Sequence, residues 1–158
     1  MGNLSHLDKK GRARMVDIGG KEITVRSATA TGFVLLQPEH LEALANNPKG
    51  DPMQVAQVAG IQAAKKCADL IPLCHNIPLS KVDIDINLYR FKIEIVATVE
   101  STGATGVEME AYCALVGAGL TVIDMLKGAS PNLVLSEVRL IKKSGGKQDY
   151  KYVEEINK

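Results

Sequence analysis

Two segments near the middle of the chain alternate between apolar and polar residues. Val82, Ile84, Ile86 and Leu88 interleave with Lys81, Asp83, Asp85 and Asn87. Phe91, Ile93, Ile95, Ala97 and Val99 do the same against Lys92, Glu94 and Thr98. A period of two puts each apolar set on one face of an extended strand, and the tight connection at 88–90 makes the pair an antiparallel hairpin. Residues 23–36, rich in β-branched and apolar side chains, predict one or two earlier strands, and 133–142 predict a last one.

Between these strands the spacing becomes helical. Gln37-Pro38-Glu39 opens a short helix, with proline in the first turn and glutamate at the positive end; Leu41 and Leu44 share a side, and Asn46-Asn47-Pro48 stops it. Asp51-Pro52 reads as a cap and first-turn proline for a second helix to about Asp69, with Val55, Val58, Ala59 and Ala63 at helical spacing. Residues 70–78 form a loop bounded by Pro72 and Pro78. Thr105-Gly106-Val107-Glu108 fits a capping box for a third helix that runs to about Lys127 and closes at Gly128. The pattern predicts an α+β fold with helices packed on one face of a mostly antiparallel sheet.

Composition bounds the partners. The 158 residues suit one domain, 1–158 with flexible ends, and 46% hydrophobic content supplies a core. Nineteen basic residues against eighteen acidic ones give a net charge of +1, so no global positive field advertises nucleic acid or an anionic membrane. Any anion site must be local. The longest uncharged apolar stretch, 111–123, is too short to span a bilayer. No signal peptide opens the chain, and Met1-Gly2-Asn3-Leu4-Ser5-His6 lacks the hydroxyl residue an acylation motif needs. Cys67, Cys74 and Cys113 are too few for a disulfide framework and point to a reducing cytoplasm.

Charged residues inside apolar segments carry the chemical interest. Asp124 and Lys127 are three apart near the end of the third helix and share a face. A carboxylate is disfavoured at that negative end, so it needs a cation or a function. At the other end, the capping box accounts for Glu108 but not for Glu110, which spacing alone reads as solvated. Glu110 and Lys127 lie about 25 Å apart at 1.5 Å rise per residue. They cannot line one small-molecule pocket within one copy. If both ends act, a symmetric neighbour supplies one of them.

Three further features stay open from the residues alone. His75, in a loop pinned by prolines, suits either a buried hydrogen-bonded role or proton transfer. Zinc on Cys74, His75, Cys67 and Cys113 is disfavoured, because adjacent Cys-His is awkward on one tetrahedral ion and no CxxC pair exists. Lys142-Lys143-Ser144-Gly145-Gly146-Lys147 offers glycines for close anion approach and amines for phosphate, or simply a basic turn. It is not a Walker A loop, since Ile141 stands where the first glycine belongs. Lys49-Gly50 is similarly ambiguous, and Arg26 could grip an anion or cap a sheet edge.

Taken in order, Met15-Val16-Asp17, Gly60-Ile61-Gln62-Ala63-Ala64-Lys65, Leu70-Ile71-Pro72-Leu73-Cys74-His75, Thr105-Gly106-Val107-Glu108-Met109-Glu110, Asp124-Met125 with Lys127, and Lys143-Ser144-Gly145-Gly146-Lys147 resemble the cyclic pyranopterin monophosphate synthase (MoaC) family over about residues 5–150. The resemblance implies a ferredoxin-like fold and a homohexamer, a trimer of dimers with active sites between subunits. It implies a lyase of molybdenum cofactor biosynthesis that rearranges 3′,8-cyclo-7,8-dihydro-GTP to cyclic pyranopterin monophosphate and releases pyrophosphate. It assigns catalysis to Asp124, Lys127 and Lys49. Substrate contacts fall to Leu73, Cys74, His75, Met109, Glu110 and Glu108, and the triphosphate grip to Arg26, Lys143 and Lys147. No resident cofactor or protein metal site is implied, and Mg²⁺ enters, if at all, with the triphosphate. Ile123 and Leu126 depart from the family's usual tyrosine and cysteine, and Gln148-Asp149 adds a negative charge beside the expected phosphate grip. A non-catalytic nucleotide- or pterin-binding regulator and a zinc-dependent nucleotide hydrolase are the rival readings.

Overall fold

A computed structural model describes residues 10–153. The opening stretch 1–6, considered above for acylation, lies outside the described residues, as do both ends of the 1–158 span. The chain runs β1 (Thr24–Leu35), α1 (Pro38–Ala45), α2 (Pro52–Lys65), α3 (Cys67–Leu70), β2 (Lys81–Tyr89), β3 (Lys92–Gly103), α4 (Glu108–Leu126), β4 (Val134–Ser144) and β5 (Tyr150–Lys151). The strands form one antiparallel sheet in the order β2-β3-β1-β4-β5. Two strand–helix–strand crossings, β1 to β2 and β3 to β4, therefore interlock around the central pair. This is the ferredoxin-like α+β arrangement.

The β2–β3 hairpin forms where the alternation predicted it, with Ile84 opposite Ala97 and Ile86 opposite Ile95. Residues 23–36 give a single long strand paired along its length with β3, from Thr24 opposite Gly103 to Leu35 opposite Lys92. Its even-numbered residues Ala28, Ala30 and Val34 join Ile93, Ile95, Ala97 and Val99 of β3 beneath α4, which buries Ala111, Ala114, Leu115, Ala118, Val122 and Leu126 against them. The opposite face of the sheet is polar: Thr29 and Thr98 hydroxyls meet at 3.0 Å, and Lys92 lies 4.2 Å over the Phe33 ring.

Several expectations need correction. The second helix stops at Lys65, and a separate turn, α3, covers 67–70. Its buried face is not the Val55, Val58, Ala59, Ala63 set but Pro52, Ala56, Gly60 and Ala64; Val58 is 61% exposed. Small residues let α2 approach α4 so closely that a Cβ on Gly60 would sit 2.9 Å from the Ala114 carbonyl oxygen. Thr105 does not cap α4. Val107 occupies that position without a side-chain bond, and Glu108 begins the helix. Arg26 lies on β1, a central strand, so it caps no edge. α4 is 19 residues long and apolar enough by composition to cross a membrane, but it packs as the core helix. The Asp51 cap of α2 is as expected, its carboxylate accepting from the Met53 and Gln54 amides at 2.9 and 3.4 Å.

His40 ties α1 to the segment after α4 and is fully buried. Its Nδ1 accepts the Gln37 amide at 2.8 Å, so Nε2 carries the proton and donates to the Ser130 carbonyl at 2.9 Å. That bond anchors α1 beside the segment that follows α4.

Candidate active site

The predicted site residues fall into two groups at opposite ends of α4. The first surrounds its N-terminus, where two clefts meet along Gly106 and Glu108. One, of about 310 Å³, is walled by Arg26, Ser27, Glu108, Lys143, Gly146 and Lys147. The other, of about 380 Å³, is walled by Leu73, Cys74, His75, Met109, Glu110 and, from the segment before β1, Val16, Ile18 and Lys21. Nine of the twelve expected site residues thus share one composite cleft, cationic at one end and mainly apolar or hydrogen-bonding at the other.

The elements fix these side chains. β1 carries Arg26, whose Nε donates to the Gly103 carbonyl at 3.2 Å, where β3 ends. β4 carries Lys143, whose amine reaches the Glu108 carboxylate at 3.0 Å across the seam between the clefts. A Cβ on Gly106 would fall where the Glu108 carboxylate now lies, so a side chain there would displace that carboxylate. The turn after β4 presents Lys147. Its Gly145 has φ +82°, and a side chain there would collide with the Val25 carbonyl oxygen.

Glu110 is the least expected member. It is 4% exposed rather than solvated, and burial pushes its carboxyl above the usual carboxylate range. Cys67 and Cys113 are buried and Cys74 half-buried, and all three lie close enough to Glu110 for its charge to act on their thiols. Burial raises the thiol pKa values, most strongly at Cys67, where the Glu110 and Cys113 charges add to it. Such thiols are poor nucleophiles. His75 stands in the same cleft wall as Cys74 and Glu110, half-buried. Among the described residues no three His, Cys, Asp or Glu side chains are placed to hold a metal ion.

The second group sits at the C-terminal end of α4. The Lys127 amine meets the Asp124 carboxylate at 2.5 Å, with both side chains more than half exposed. The Lys127 bond and charge hold the Asp124 carboxyl below its usual range, and Lys49 adds to the effect. Lys49 arrives from the α1–α2 loop, which is pinned by Asn47: its amide donates to the Met125 carbonyl at 2.9 Å, and its side-chain oxygen accepts the Lys49 amide at 3.0 Å. The structure therefore brings Lys49, Asp124 and Lys127 together. It does not bring them to the cleft, since Glu110 and Asp124 are 14 residues apart on one helix, about 21 Å.

Sequence reasoning missed Lys21 and Ser27 in the cleft walls. A repeated triplet held the clue to the lysine: Gly19-Gly20-Lys21 matches Gly145-Gly146-Lys147, and each lysine lines one half of the cleft.

The MoaC family model matches residues 15–146. Similar curated proteins named cyclic pyranopterin monophosphate synthase include one from Pelotomaculum thermopropionicum, 49% identical over 151 residues, covering 93% of this chain and 89% of the relative. Another, from Streptomyces avermitilis, is 48% identical over 146 residues, 91% of this chain and 86% of the relative. A third, from Parvibaculum lavamentivorans, is 47% identical over 153 residues, 94% and 96% of the two chains. A family match over most of the chain, joined to relatives 47–49% identical along more than nine-tenths of it, makes this protein a member of the MoaC family.

Proposed function

We infer that this chain is a cyclic pyranopterin monophosphate synthase, a lyase of molybdenum cofactor biosynthesis. It converts 3′,8-cyclo-7,8-dihydro-GTP to cyclic pyranopterin monophosphate and releases pyrophosphate. The observation that carries the reading is the composite cleft. Its cationic half, with Arg26, Lys143 and Lys147, suits a triphosphate, and its Leu73–His75 and Met109–Glu110 half suits a flat heterocycle rich in hydrogen-bonding atoms.

The reaction opens a purine, closes a pyran ring and forms a cyclic phosphate. The first two parts need proton transfers to ring nitrogens and sugar oxygens, which amines held beside the reacting atoms can supply and accept. Lys49 and Lys127 act as these groups, and Asp124 orients Lys127 or takes a proton itself. In the last part a sugar hydroxyl attacks the α-phosphorus, the bond to the β-phosphate oxygen breaks, and pyrophosphate leaves. Arg26, Lys143 and Lys147 stabilise the charge that grows on it. Glu108 holds Lys143 in place and borders the heterocycle. Leu73, Cys74, His75, Met109 and Glu110 bind that heterocycle. Mg²⁺ travels with the triphosphate, and the protein contributes no redox cofactor.

The 21 Å between the two groups requires assembly. A dimer with two-fold symmetry places the Asp124 end of one subunit over the cleft of its neighbour, and three such dimers form a hexamer. A wholly apolar groove along α4, lined by Leu70, Ile71, Met109, Val116 and Leu120, supports a subunit contact beside the cleft. The enzyme acts in the cytoplasm as one domain on a small-molecule substrate, without nucleic acid or membrane. The test is incubation of the purified protein with the cyclised GTP intermediate. Pyranopterin product and pyrophosphate in equal amounts are expected; binding without turnover would favour the regulator instead.

A further inference from the structure

The turn that carries Lys147 is held at both sides of one glycine. The Thr24 hydroxyl donates to the Gly145 carbonyl at 2.6 Å, across 121 positions of sequence, and the Gly145 N–H donates to the Asp149 carboxylate at 3.1 Å. Gly145 sits so close to β1 that only glycine fits against the Val25 carbonyl, and its φ of +82° lies in the left-handed region. A Cβ on the next residue, Gly146, would lie 3.1 Å from an Arg26 guanidinium nitrogen. Behind the turn, Lys143 pairs with Ala28 on one side and Tyr150 on the other, so its backbone is locked between β1 and β5.

These contacts change the meaning of the glycines. A glycine-rich turn binds anions through backbone N–H groups only when those groups are free to face the ligand. Here the Gly145 N–H is taken by Asp149, a carboxylate that also lies two residues from Lys147. A negative charge beside a phosphate grip is unfavourable unless it serves the grip's geometry.

We propose that Asp149 and Thr24 are positioning residues that clamp the 144–149 turn onto β1, so that Lys147 and Arg26 face the phosphate end of the cleft and bind a polyphosphate through side-chain cations. This rests on the synthase reading for the identity of the substrate, but not for the anion site itself. Neither residue touches substrate. Each acts through Gly145.

The experiment uses the full-length assembled protein, with inorganic triphosphate as the binding probe and the cyclised GTP intermediate for kinetics. Thr24→Val and Asp149→Ala remove one clamp bond each. Thr24→Ser and Asp149→Asn keep a hydroxyl and an acceptor oxygen respectively. Loss of one net hydrogen bond's worth of ordering predicts about a threefold to tenfold rise in triphosphate Kd and in KM, with kcat within about twofold and unfolding temperature nearly unchanged. The conservative variants restore values close to those of the unaltered protein. Tighter triphosphate binding by both Asp149→Ala and Asp149→Asn would overturn the clamp, because Asp149 would then act only as a repelling charge. Unchanged Kd in Thr24→Val and Asp149→Ala, or a fall in kcat at constant KM, would overturn it as well. Should the unaltered protein fail to turn over the intermediate while the variants still weaken triphosphate binding, the synthase reading falls and the clamp stands.

Discussion

Replacing Gly60 with alanine sets two opposing effects against each other. Gly60 lies inside α2, where alanine is favoured over glycine by about 1 kcal/mol on helix propensity. The new methyl would meet the Ala114 carbonyl oxygen at 2.9 Å, the Ala118 Cβ at 3.2 Å and Ile84 Cδ1 at 3.2 Å. Carbon–carbon contacts are comfortable near 3.5–4.0 Å, roughly half an ångström further out, and the nearest neighbour is backbone that cannot swing aside. Overpacking of this kind costs about 1–3 kcal/mol, so packing wins and Gly60→Ala destabilises by about 1 kcal/mol net. For a chain of this size that lowers the unfolding temperature by about 2–4 °C. Thermal unfolding followed by circular dichroism measures it, with Gly128→Ala as the control, because no atom lies within 4 Å of a Cβ there. α2 follows the loop that holds Lys49 near Asp124, so turnover should fall further than the stability loss alone implies. A rise in unfolding temperature for Gly60→Ala would refute the close α2–α4 approach, since propensity would then be the only effect at work.

Asp124→Asn and Lys127→Ala should each reduce turnover of the cyclised intermediate by at least about a hundredfold, the scale of a lost acid–base group, while the assembled mass is unchanged; near-normal product formation by either would remove them from the chemistry. Glu110 makes folding pH-dependent in a definite direction. Its folded pKa lies above the value of 4.5 expected without the fold, so above that pH the native state holds more protons than the unfolded one and stability falls as pH rises. Glu110→Gln, still facing Cys67, Cys113 and Glu108, should therefore gain on the parent protein in unfolding temperature as pH rises above 4.5; a difference that stays constant would contradict a buried, proton-holding Glu110.

How far the molecule could be read from its residues depended on the kind of signal. The β2–β3 hairpin was legible because period-two alternation and one buried face impose each other. The packing of α2 was not, because Ala56, Gly60 and Ala64 carry little hydropathy, and the larger Val55 and Val58 drew the stripe to the exposed side. Thr105 was mistaken for a cap because the spacing to Glu108 was right; the lysine that pairs with Glu108 instead lies 35 residues away. Glu110 looked solvated for a similar reason: its neighbours Cys67 and Cys74 come from α3 and the loop beyond it, which spacing along α4 cannot report. The two residues of β5 are too short to leave a pattern. By contrast, the distance between the two ends of α4 followed from helix rise alone, and it survives as the feature on which the functional reading turns.

Mixing subunits tests that feature most directly. Glu110→Ala and Asp124→Asn proteins, each first shown to have lost turnover alone, are unfolded, combined in equal amounts and reassembled, with mixed dimers verified by native mass. If each site takes its cleft from one subunit and its Asp124 end from the partner, every mixed dimer has one intact site of two, and random pairing restores about a quarter of the parent activity. If each site is complete within one subunit, no site escapes both defects, and verified mixed dimers would stay inactive.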